Sequence, residues 1–179
     1  MDIQLIKFPA HEDWMICKMC TLATVGLNVK NPPTEEWKHD LLEARHSPIR
    51  ELHFVFRLID IPYYVAMHLV RHHVGCQPYV MTQRNDRQKN YDRRKAPQDS
   101  PVTMMWSMNA DALITIAQKR LCNQASPETR AVVKEMCELV VDKCPEFKGL
   151  LKPACEWQGG VCHEIRPCAK AAIRKVMQR

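Results

Sequence analysis

Glycine is scarce in this chain, with five residues in 179, and none of them forms a GxGxxG or P-loop pattern. A glycine-rich turn that cradles phosphate with backbone N–H groups is therefore excluded. Any phosphate must be held by side chains, with arginine the first suspect. No apolar run approaches the eighteen or so residues of a membrane span. The opening MDIQLIKFPAHEDW lacks the basic-then-apolar grammar of a secretory leader, so a cytoplasmic location is expected. The nine cysteines are an odd number, which argues against a disulfide framework and for reduced, buried thiols. Cys17-x2-Cys20 has no second pair like it. Cys155, Cys162, His163 and Cys168 cluster near the C-terminus, but a structural zinc wants four ligands in tight pairs. No metal is expected.

What is present is an ordinary globular composition, 46% hydrophobic and 26% charged. The length suits a single domain, residues 1–179, with a real core. A net charge of +6 and a pI near 8.9 permit an anionic ligand without naming one.

Residues 3–8 alternate weakly and read as a strand, and residues 12–24 as a helix. Asn31-Pro32-Pro33 breaks the chain, and Thr34 caps a helix to about Ala44 with Glu35 and Glu36 in its first turn. Residues 52–60 read as a strand with Phe54, Phe56 and Leu58 on one face. Pro62 then opens a helix through His73, on which Val65, Leu69 and His72 lie near one face. Residues 74–100 read as irregular. Ser100-Pro101 has the grammar of an N-cap followed by a first turn, and a long helix is expected from there to about Asn123. Ser126-Pro127-Glu128 repeats it for a helix ending near Cys144-Pro145, and the tail from about 166 reads as a short basic helix. The fold class is α+β: a helix-rich single domain with a small, mostly antiparallel sheet.

The richest chemistry lies in residues 68–84, where an apolar helix ends in Arg71-His72-His73 and runs on to Thr82-Gln83-Arg84. Arginine offers phosphate a planar, pH-independent fork, and histidine can donate a proton or stack on a ring. The plain alternative is a basic helix end complementing its dipole. Cys76 sits in the same loop, but no activating base can be assigned to it, so a small buried hydrophobe is the default. The run from Arg84 to Lys95 has six basic residues and one aromatic, Tyr91. It lacks the interleaved stacking platform of single-strand binders, and nucleic acid is not an expected partner.

These residues resemble the flavin-dependent thymidylate synthases, also called thymidylate synthase complementing proteins. Arg71-His72-His73 stands where that family has RHR, preceded in order by His46, Glu51 and the strand FVFRLI. Seven residues on, Met81 stands where the family has Ser; Thr82 supplies that hydroxyl if the loop carries one extra residue, which also aligns Arg84. A second block, Trp106 to Asp111, then Lys119-Arg120, Glu128 and Cys144-Pro145, follows at matching spacing. Asp111 and Thr115 replace an Arg and an Asn of the family's flavin region. The resemblance is strongest over residues 40–150.

The resemblance implies an enzyme that methylates dUMP reductively to dTMP, taking carbon from methylenetetrahydrofolate and electrons from NADPH through FAD. It implies a homo-oligomer, expected to be a tetramer, with sites shared between subunits. Arg71, His72, His73, His46 and Asn109 would lie against the flavin, and Thr82, Gln83 and Arg84 would hold the phosphate of dUMP. Arg120 would face the pyrimidine and act in catalysis. On the expected long helix, Asn109 and Arg120 would share nearly one face about 16 Å apart. The alternative is a relative that binds flavin or nucleotide without this activity, or acts on a related nucleotide.

Overall fold

The computed structural model describes residues 1–88 and 91–168. Four strands form one antiparallel sheet in the order β1-β2-β4-β3: β1 Asp2–Lys7, β2 His53–Pro62, β3 Cys76–Val80 and β4 Pro101–Asn109. The α-helices are α1 His11–Ala23, α2 Glu35–Glu43, α3 Tyr63–Leu69, α4 Ala110–Arg120, α5 Pro127–Lys143 and α6 Ala154–Trp157. The α+β reading and the antiparallel sheet are thus both found. Among the described residues no helix is long and apolar enough to cross a membrane.

Two of the three caps read from the sequence form as expected. Thr34 accepts from the Trp37 amide at the start of α2, and Ser126 accepts from the Thr129 amide at the start of α5. Each satisfies an amide that the first helical turn leaves without an intrahelical partner.

The largest departure is residues 100–123. They form not one helix but the strand β4 followed by α4. Val102, Met104, Trp106 and Met108 are buried at every second position, a strand period. They pair with Ile61, Leu58, Phe56 and Phe54 of β2 and build the inner face of the sheet. Ser100 is no helix cap; its hydroxyl donates to the Pro97 carbonyl. The capping residue is Asn109, whose Oδ1 accepts from the Ala112 amide at 2.9 Å.

Two smaller corrections concern the neighbouring segment. The helix after Pro62 ends at Leu69, so Arg71, His72 and His73 belong to the turn that follows it. The stretch from residue 74, read as irregular, contains β3, paired with β4 from Cys76↔Met108 to Val80↔Met104. Of the basic tail helix, residues 169–179 lie outside the described residues, and residues 166–168 are not helical.

The core is one contiguous cluster that joins the inner sheet face to Trp14 and Cys17 of α1, Leu42 of α2, Val65 and Leu69 of α3, and the buried sides of α4 and α5. Phe54 meets Phe147 edge-on at 5.4 Å between ring centroids. A bulge between Leu58 and Ile61, with Asp60 at φ +53°, keeps Ile61 pointing inward as β2 turns toward α3.

Candidate functional site

The turn between α3 and β3 is stapled to the start of α4. The Asn109 amide donates to the Gly75 carbonyl at 3.0 Å, and the Ala110 amide donates to the Leu52 carbonyl at 2.9 Å. Gly75 has φ +70°, and a Cβ there would sit 2.8 Å from Asn109 Nδ2. Glycine is therefore required twice over, for its backbone conformation and for the close approach.

This junction forms a cavity of about 380 Å³. Arg71, His72, His73 and Cys76 line it from the turn side, Asn109, Asp111 and Thr115 from α4, and Arg50 from the 3₁₀ turn Ser47–Glu51. Four of the residues expected at a flavin, Arg71, His72, His73 and Asn109, thus stand together. His46 does not line this cavity; it is exposed, just ahead of the 3₁₀ turn. Thr82, Gln83 and Arg84 also stand outside it, beyond the end of β3. Arg84 is exposed and forks onto Asp86 with contacts of 2.9 and 2.6 Å. Arg94 likewise pairs with Asp92, so part of the basic run is matched by its own carboxylates.

Two residues the sequence did not single out organise the cavity. Arg45, at φ +50°, spreads its guanidinium over α4. Its Nε donates to Asp111 Oδ1 at 3.0 Å, Nη2 also bonds that oxygen, and Nη2 reaches Thr115 Oγ1 at 2.7 Å. Arg50 Nε approaches the other Asp111 oxygen at 3.3 Å. Asp111, which reverses the charge expected there, is thereby bound by two arginines. With Arg71 added, the balance of formal charge around the cavity remains positive. No spacing rule signals either residue; Arg45 reaches α4 from a left-handed turn after α2, and Arg50 from the 3₁₀ turn Ser47–Glu51.

Arg120, the last residue of α4, stands behind the cavity rather than in its lining. Its Nε donates to His72 Nε2 at 2.8 Å and its Nη2 donates to the His68 carbonyl at 2.8 Å. His72 must accept at Nε2, which places a neutral imidazole's proton on Nδ1. Burial, then the charges of Arg120, Arg71, His73 and Lys119, push the His72 pKa down from 6.5 to about 4. Burial, then Arg71, lowers the pKa of Arg120. The Cys76 thiol is pushed up to about 11 by burial. It stays protonated at neutral pH, which removes the thiolate a nucleophile requires.

The His72 shift has a consequence for acid stability. Between about pH 4 and 6.5 the unfolded chain binds the proton that folded His72 refuses, so stability falls as pH falls through that window. The imidazole is only half-buried, so the expected loss is about 1–2 kcal/mol, below the full linkage value. Denaturant titrations at pH 7 and pH 4.5 check it: His72→Gln should lose less stability on acidification than the wild type. An equal loss in both would remove His72 as the cause.

Residues 87–146 match the family model described as thymidylate synthase complementing protein. That match covers the second block of the resemblance, from Trp106 to Pro145, while Arg71-His72-His73 lies outside it. The fold is similar to thymidylate synthase X from Helicobacter pylori solved with FAD and dUMP. One such structure gives a TM-score of 0.68 at 12% identity, over 85% of this chain and 100% of that one. A second, also with FAD and dUMP, gives 0.66 at 14% identity over the same shares. No curated protein matches the chain.

Proposed function

We propose that this chain, a short and divergent member of the thymidylate synthase complementing protein family, carries out reductive methylation of dUMP to dTMP with FAD, NADPH and methylenetetrahydrofolate. The observation that carries the reading is the joining of Arg71, His72 and Asn109 at one cationic cavity, with Arg120 hydrogen-bonded behind them.

The residues fit an anionic flavin nucleotide. The cavity offers two guanidinium groups and the amide of Asn109, and its single carboxylate is already paired. At about 380 Å³ it lies at the low end of ligand pockets, which run about 300–1,000 Å³. It would take part of a dinucleotide. The remainder, and the nucleotide phosphate, would then lie against a second copy of the chain. Thr82, Gln83 and Arg84, which stand outside this cavity, would serve a site shared within a homo-oligomer, a tetramer by the family resemblance.

When bound, a flavin supplies the hydride carrier. The chain's own residues bind and orient. Arg50, Arg71 and His73 hold the anionic part. Asn109 uses Oδ1 for its own helix, which leaves its NH₂ for the ligand. Neutral His72 holds the Arg120 guanidinium in place. Arg120 spends two of its five N–H groups on protein, and the other three remain to meet negative charge developing on a pyrimidine oxygen.

The second reading, a flavin or nucleotide binder without this activity, is favoured by Asp111, whose carboxylate occupies Arg45 and Arg50 at the cavity edge. Titration of the purified protein with FAD, followed by visible absorbance and flavin fluorescence with and without dUMP, tests the binding both readings share. Saturable binding weakened at least tenfold by Arg71→Ala is expected. Failure to bind FAD in the presence of dUMP would overturn the assignment.

A further inference from the structure

The buried side of α5 is apolar with one exception. Val132, Val133, Met136 and Val140 are enclosed there, and so is Thr129 in the first turn. A valine would fill that space with no polar atom, whereas an enclosed hydroxyl costs stability unless it is bonded. Thr129 Oγ1 accepts from Ser126 Oγ at 2.9 Å and stands 3.0 Å from His68 Nδ1. Since the oxygen accepts from Ser126, its own proton is left for Nδ1, and a neutral His68 then carries its proton on Nε2. The Tyr64 ring meets the same imidazole edge-on at 5.9 Å between centroids.

His68 holds Arg120 with its backbone. Its carbonyl accepts from Arg120 Nη2, and His72 accepts from Arg120 Nε, both at 2.8 Å. Both acceptors thus come from the end of α3. That helix has only seven residues, too few to hold itself without outside contacts. The amide that a continued helix would bring to the His68 carbonyl, that of His72, donates to Leu69 instead. We propose that Thr129 is a positioning residue for Arg120: through His68 it fixes the end of α3 that orients the guanidinium. The proposal rests on the reading of Arg120 as the group that meets the nucleotide. Neither Thr129 nor His68 lines the flavin cavity, so both act through Arg120.

Other helical threonines in this molecule show the plain arrangement. Thr21 donates to the Cys17 carbonyl and Thr115 to the Asp111 carbonyl, each within its own helix. Thr129 instead reaches across to α3. The residue it reaches carries both bonds, one on its ring and one on its carbonyl, and the two move together about a single Cα. Releasing the ring therefore loosens the carbonyl that holds Arg120. A threonine that only tied α5 to α3 would lower stability when replaced and leave the Arg120 hydrogen bonds as they are.

The test is NMR of the full chain, isotopically labelled at the arginine nitrogens, with Arg120→Lys identifying the Arg120 Nε–H signal. Bonded to His72, that proton should exchange slowly with water in the wild type. Thr129→Val should speed its exchange about tenfold, the upper end of what one hydrogen bond contributes. Thr129→Ser keeps the hydroxyl and should stay near the wild type. The affinity for dUMP, measured by calorimetry, should fall by a similar factor in Thr129→Val and return in Thr129→Ser. If Thr129→Val does not fold, His68→Phe breaks the same bond from α3, and His68→Asn, whose amide oxygen can stand in for Nδ1, restores it. A lowered melting temperature with an unchanged Arg120 signal would overturn the proposal. So would a wild-type Nε–H that exchanges as fast as an exposed arginine's. A loosened Arg120 in Thr129→Val, beside wild-type protein that binds no dUMP, would support the positioning and overturn the functional reading alone.

Discussion

Replacing Arg120 by alanine is expected to weaken dUMP binding by about 2–5 kcal/mol, the range for losing one partner of a buried charged contact. Stability should fall as well, by about 1–3 kcal/mol, because the His68 carbonyl and His72 Nε2 would both lose their donor. On sequence grounds alone a binding role and a stabilising role look like alternatives; the hydrogen bonds make them two consequences of one side chain. Arg120→Lys sharpens the measurement. It keeps the charge but lacks the planar fork that reaches both partners, so most of the affinity loss should remain. Calorimetric titration with dUMP, beside thermal melts, separates the effects. A stability loss with unchanged affinity would leave Arg120 a purely structural tie between α4 and α3.

Trp106→Ala should produce the largest stability loss of any single change considered, about 3–5 kcal/mol. Its side chain is fully buried on β4, an inner strand, opposite Phe56. Its indole Nε1 is buried without a hydrogen-bond partner. Trp106→Phe removes that unsatisfied N–H and keeps an aromatic ring but leaves a smaller cavity, so it should cost about 1–2 kcal/mol, less than the alanine variant. Equilibrium denaturation of the two variants checks the contrast. Equal losses would mean that the ring kept by Trp106→Phe contributes nothing to packing at this position.

Where local chemistry dictates structure, the sequence was legible. Thr34 and Ser126 announce their helices because a side-chain oxygen beside free amides is a local matter. The alternation of β2 shows because the less buried Val55 and the exposed Arg57 separate Phe54, Phe56 and Leu58. β4 hides for a physical reason. Met104 and Met105 are adjacent, methionine favours helices, and Ser100-Pro101 imitates a helix start. The pairing with β2 overrides all three, and pairing is not a local property. At the cavity, Arg71, His72 and Asn109 were readable through a family resemblance, because they fall in recognisable blocks. Arg45 and Arg50 were not, since they reach Asp111 from a left-handed turn and a 3₁₀ turn, each more than sixty positions distant.

The central claim is tested most directly by incubating the purified chain with dUMP, methylenetetrahydrofolate, NADPH and FAD, and measuring dTMP by chromatography. The account predicts dTMP formation that requires added or bound FAD and falls at least a hundredfold in Arg120→Ala. Protein that binds both FAD and dUMP yet yields no dTMP above a protein-free control would contradict it.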